Sequence, residues 1–167
     1  FCSQAHSITR ELLNKYPDKI YYIYRDFPID ELHPQARLAA EAGECAQEQG
    51  KFWLFHDKVF QNQASIELSD LLNYARDVGM DMDAFGSCLE SGRFKNEVEG
   101  DFRDGIDAGV KATPTFFING EKIEGVGMLS GSYSVIINAV NPFGFNQMKL
   151  KIVITDIVDK LPTTTIL

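Results

Sequence analysis

Apolar positions recur at helical spacing through most of the chain and change to strand spacing near its end. From Ser3 to about Tyr16 the pattern predicts a helix, closed by Pro17 and Asp18. Lys19-Ile-Tyr-Tyr-Ile-Tyr-Arg25 is then a nearly unbroken apolar run, which predicts a parallel strand covered on both sides. A helix feeding such a strand is the second half of a βαβ unit, so a first strand is expected before Phe1. Pro34 suits the start of a helix that runs to about Gln49, with Leu38, Ala42, Cys45 and Gln49 along one side. Lys51 to about Gln61 carries an aromatic stripe of Phe52, Phe55, Val59 and Phe60, with Trp53 beside it. Leu68, Leu71, Leu72, Ala75 and Val78 keep the helical period up to Gly79. Asp81 is placed to cap a short helix through Phe85 and Cys88 to Gly92. Phe94, Val98 and Phe102 mark one more helix, from about Phe94 to Ala108.

After Gly109 the period becomes two. Thr115-Phe-Phe-Ile118 and Glu121-Lys-Ile-Glu124 flank Asn119-Gly120, the strongest short signal for a tight hairpin. Ser132 is placed to cap a last helix with Ile136, Ile137 and Val140 facing inward. Asn141-Pro-Phe-Gly-Phe-Asn146 reads as a linker, and Leu150-Lys-Ile-Val-Ile-Thr155 as a strand. The strand either opens another domain or fills the slot of the expected first strand. The organisation is thus one domain over 1–140, with a helical block over about 33–108, and an extension over 141–167.

Composition narrows the function classes. Hydrophobic residues at 44% and charged residues at 24% suit a globular core. The net charge of −8 repels phosphate backbones and anionic headgroups, which excludes nucleic acid as the expected partner. Glu97, Glu99, Asp101, Asp104 and Asp107 read as a solvated helix face. No apolar run approaches the roughly 18–20 residues of a membrane helix. Cys2, Cys45 and Cys88 lack zinc-type spacing and the three histidines are scattered, so no metal site is expected.

Several stretches in order carry a resemblance: Phe1-Cys2, Phe27-Pro28, His33-Pro34, Ala39-Ala-Glu-Ala-Gly-Glu-Cys-Ala46, Gly50-Lys-Phe-Trp53, Phe55-His-Asp57, Cys88-Leu-Glu-Ser-Gly92 and Gly109-Val-Lys-Ala-Thr-Pro-Thr-Phe-Phe-Ile-Asn-Gly120. From Cys2 to about Val140 the chain resembles the DsbA-like branch of thioredoxin-fold disulfide oxidoreductases. The resemblance implies an α/β thioredoxin-like fold with an inserted helical subdomain. It departs from the family in two places. The first strand and first active-site cysteine are missing, and Ala112 stands where many relatives have glycine.

Thiol–disulfide exchange needs an attacking thiolate and a second thiol that resolves the mixed disulfide. The resemblance gives Cys2 the role of resolving thiol in a Cys-x-x-Cys pair, whose first, attacking cysteine sits exposed at the helix end where amides favour thiolate. It implies a cis bond before Pro114, whereas the residues alone also allow a trans proline opening an edge strand. Thr113 and Pro114 would dock an extended substrate segment, with Phe1 and His6 at the same site. His6, one turn beyond Cys2, either tunes a thiolate or packs near the pocket. His33 and His56 read as structural. Cys45 and Cys88 lie on inferred inward faces, as a second disulfide of the kind found in some family members or as two separate thiols. The expected function is thiol–disulfide exchange on protein cysteines in an extracytoplasmic compartment, recycled by a membrane redox partner and needing no cofactor. A non-catalytic peptide-binding module and a glutathione-binding transferase or isomerase relative are the alternatives.

Overall fold

In the computed structural model the described residues are 1–124, 132–135 and 150–153. The chain divides into two compact units, one of residues 24–111 and the other of residues 1–23 with 112–167.

The 24–111 unit is all helical: α2 (Ala36–Glu48), α3 (Phe52–Gln61), α4 (Leu68–Asp77), α5 (Met82–Ser91) and α6 (Lys95–Asp107). Its helix ends follow local chemistry. Asp81 accepts from the Asp83 and Ala84 amides, both at 3.0 Å, and so starts α5. Glu67 and Asp70 form a reciprocal capping box at the head of α4. Gly92 takes a left-handed conformation, φ 59°, that ends α5. At the tail of α4 the Lys51 ammonium donates to the carbonyls of Val78, at 2.9 Å, and Gly79, at 2.7 Å. That cation satisfies orphan acceptors at the negative end of the helix, which gives Lys51 of the Gly50-Lys-Phe-Trp53 stretch a structural task.

Ala42, Cys45 and Ala46 of α2 meet Phe55, Leu71, Ala75, Met80, Phe85 and Cys88 in one apolar core. Cys45 and Cys88 are joined by a disulfide, with Cα atoms 5.9 Å apart, so α2 and α5 are covalently tied at its centre. Gln49 lies outside this core. Its side-chain amide exchanges two hydrogen bonds with the Asp81 backbone, of 2.8 and 3.1 Å, and links the tail of α2 to the head of α5. The acidic face of α6 is only partly solvated. Asp101 and Asp104 bind Arg25, while Glu99 binds Arg37 and Arg103.

The other unit contains α1 (Cys2–Lys15), the hairpin of β1 (Thr115–Ile118) and β2 (Glu121–Glu124), and an antiparallel pair of β3 (Ser132–Val135) with β4 (Leu150–Val153). Asn119, φ 52°, and Gly120, φ 87°, form the two-residue turn, and Ile118 faces Glu121 across it. Positive φ at both turn positions matches the twist of the strands, which is why Asn-Gly occurs there.

Two expectations are corrected. Lys19 lies in a turn and Ile20–Arg25 forms no ladder among the described residues. Burial alternates along this run, with Tyr21 90% and Ile23 64% exposed, so it is not covered on both sides. Apolar content set the strand expectation, but a strand also needs a neighbour for its amides and carbonyls. The second correction concerns Ser132, which opens β3 rather than a helix; the β-propensity of Tyr133 and Val135 outweighs the capping signal. Ile136, Ile137 and Val140 lie outside the described residues.

The bridge closes a loop of sequence separation 43. Chain-entropy arguments give such a loop about 4 kcal/mol of stabilisation. Urea denaturation of oxidised chain against reduced and alkylated chain should show a loss of about that size, with the midpoint moved accordingly.

Candidate thiol site

Cys2 is the first residue of α1, and it is the free cysteine of the described residues, half-buried. Phe1 precedes it as the N-cap without a side-chain cap bond, and its carbonyl accepts from the Ala5 amide at 3.0 Å. The amides of the first turn therefore point past the helix end. No acidic residue lies in that first turn, and Lys15 sits in the last one. The positive end of the helix dipole is thus not offset by a local carboxylate.

The remaining predicted residues sit as follows. Phe1 is 86% exposed, beside the sulfur-bearing residue. His6 is half-buried one turn further along α1, flanking the buried Ala5. Further along the helix, Arg10 lies close enough to Tyr22 to pull its hydroxyl pKa down, although burial raises it more. The Thr113–Pro114 peptide bond is cis, and Thr113 and Pro114 are both half-buried. Thr115 fixes the bend: its hydroxyl donates to the Ala112 carbonyl at 2.6 Å, spanning the Thr-Pro step. Cys2 and the Thr113–Pro114 bend fall in the same compact unit. Cys45 and Cys88 belong to the other unit and to its core.

His33 lies in a turn, its amide bound to the Ile29 carbonyl at 3.0 Å. His56 is buried among rings, stacked on Phe60 at 4.3 Å and edge-on to Tyr24 at 4.5 Å. Pattern reading missed Thr115 as the clasp of the bend. The signal was a hydroxyl one residue beyond the Thr-Pro step, where it can reach back three residues. It also missed Asp26, a buried carboxylate at the end of the apolar run.

Comparison with known proteins supports the fold. The family model described as Thioredoxin matches residues 1–132. Among solved structures, a thioredoxin-like oxidoreductase from Silicibacter pomeroyi is similar with a TM-score of 0.66 and 24% identity, covering 74% of this chain and 70% of that one. That likeness shows the fold: thioredoxin-like α/β, rich in helix with small sheets. Curated relatives include a Na(+)/H(+) antiporter NhaA 3 of Salinispora tropica, 38% identical over 125 residues. An NhaA 1 of Salinispora arenicola is 40% identical over 126 residues. Each match covers 75% of this chain and 19% of the relative, so the chain spans about a fifth of the relatives' length. Among the described residues no helix is long and apolar enough to cross a membrane.

The environments of the cysteines differ enough to be counted chemically. A maleimide added to native chain should label Cys2 alone, and after denaturation with reduction Cys45 and Cys88 as well, read by intact mass. Labelling of Cys45 or Cys88 without reductant would contradict the assignment.

Proposed function

We propose that this chain, which belongs to the thioredoxin family, exchanges thiols and disulfides on protein cysteines, with Cys2 as the resolving thiol. The observation that carries this reading is a free cysteine opening α1, in the same unit as the cis Thr113–Pro114 bend. The exchange pairs Cys2 with a second cysteine. A substrate thiolate attacks that second cysteine's sulfur, the bond to Cys2 breaks, and Cys2 leaves as thiolate. A second substrate thiolate then displaces the mixed disulfide, so two electrons pass from substrate to the pair. In the reverse direction Cys2 attacks the mixed disulfide and frees the substrate.

Thr113 and Pro114 supply docking. Backbone groups of Thr113, which is half-buried, would pair with an extended peptide as a partial strand. Proline, lacking an N–H, leaves the sulfur unencumbered at that position. Phe1 and His6 border the same place. The antiporter names of the curated relatives support a domain carried beside a membrane transporter, in an extracytoplasmic compartment where disulfides persist. A membrane redox partner would then recycle the pair.

Two results test this. Alone, the chain should not oxidise a reduced peptide without added oxidant, because the Cys2 thiol by itself cannot take up two electrons and the Cys45–Cys88 disulfide is buried in the core. Given a peptide with an activated mixed disulfide, Cys2 should displace the activating thiolate in one equivalent, and Cys2→Ser should abolish that release. Pro114→Ala should slow the reaction with the peptide about tenfold, or about 1.4 kcal/mol of docking, while leaving a small-molecule disulfide unaffected. Equal slowing of both disulfides would remove the docking role.

A further inference from the structure

Asn119-Gly120 is the one Asn-Gly step in the chain, and the hairpin holds both residues in the open. A Cβ added at Gly120 would meet nothing within 4 Å. With no side chain of its own and no neighbour over it, the Gly120 nitrogen can be approached by the Asn119 side-chain carbonyl. The other asparagines of the described residues are placed differently. Asn14, Asn73 and Asn96 lie inside α1, α4 and α6, where the amide that follows each is held in the helix. Asn73 also accepts from the Arg76 guanidinium at 2.8 Å, and the Asn62 side chain donates to the Lys58 carbonyl at 2.8 Å. The residues after these four are Lys15, Gln63, Tyr74 and Glu97, each with a Cβ that crowds its own nitrogen.

We propose that Asn119-Gly120 is a self-modifying site that converts to aspartyl and isoaspartyl forms, with water as the co-reactant. The Gly120 nitrogen loses its proton and attacks Asn119 Cγ. A bond from that nitrogen to Cγ forms, the bond from Cγ to the side-chain nitrogen breaks, and the departing nitrogen takes up a proton and leaves as ammonia. Water then opens the resulting cyclic imide at either carbonyl carbon. Breaking the new bond to Cγ leaves aspartate. Breaking the original peptide bond leaves isoaspartate, with the main chain running through Cβ and Cγ. Nothing is oxidised or reduced, and the inference does not depend on Cys2 or on the proposed exchange chemistry.

The two products act differently on the hairpin. Asn119, φ 52°, and Gly120, φ 87°, are the whole of the turn, and Ile118 already faces Glu121 across it. Aspartate suits the first turn position as asparagine does, since Asp-Gly favours the same turn. Isoaspartate adds an atom to the main chain between Ile118 and Glu121, so a turn of two residues no longer closes that pair. β1 runs from Thr115, whose hydroxyl holds the Ala112 carbonyl, to this turn. The strand that loses its partner is thus the one beside the Thr113–Pro114 bend.

Purified chain held in warm, mildly alkaline buffer, then digested and mapped by mass, tests the site. The peptide carrying residue 119 should gain the mass of an amide replaced by a carboxyl and split into two chromatographic forms. Its rate should rise in proportion to hydroxide concentration, because the attacking nitrogen must first lose its proton. Peptides carrying Asn14, Asn62, Asn73 and Asn96 should stay unchanged over the same interval. Hydrogen exchange on the separated whole-chain products should find the Ile118 and Glu121 amides protected in the aspartyl form and unprotected in the isoaspartyl form. Freshly prepared Asn119→Asp, which has no amide to lose, should show no mass gain and should keep that protection. Asn119 retaining its amide as long as the other four asparagines would overturn the proposal. So would an isoaspartyl form in which both amides stay protected.

Discussion

Helix α2 is the element to which the helical unit is referred, and the Cys45–Cys88 bond is what holds it in place. The bond sits among Phe55, Leu71 and Phe85, all fully buried, so covalent constraint and apolar burial act at one point. Around it the polar links are peripheral and directional. Gln49 ties α2 to the head of α5, Lys51 caps α4, and Arg93 reaches Glu48. A small helical body gains most from a bridge placed this way, because the bridge removes unfolded conformations that a modest core could not outweigh.

Away from that core, Arg25–Phe27, at the point where the chain passes into the helical unit, are held against α6. Arg25 pairs with Asp101 and Asp104, the Asp26 amide donates to the Asp101 carboxylate, and the Phe27 ring packs on Phe102.

Helix existence was legible because each helix carries its own period and its own stop. Asp81 and Gly92 bound α5, Gly79 follows α4, and Asn119-Gly120 forms the hairpin turn. Strand assignments made from apolar content alone were weaker. Ile20–Arg25 has the composition of a buried strand but forms no ladder among the described residues, and Ser132 has the side chain of a cap within a stretch that pairs with Leu150–Val153. The acids of α6 show a third limit. Five carboxylates on one helix read as a wet face, but Arg25 and Arg37 lie elsewhere in the sequence, and only the fold brings them to Asp101 and Glu99. Asp26 was missed for the same reason, since the Asp101 carboxylate that its amide binds lies on a distant helix.

The functional account rests on the Cys2 sulfur and the Thr113–Pro114 bend being neighbours within their shared unit. A nitroxide attached to Cys2 tests this most directly, through the paramagnetic broadening of backbone amides. The account predicts strong broadening at Thr113 and Thr115, relieved when the nitroxide is reduced. Sharp signals at both, with broadening confined to α1, would contradict it.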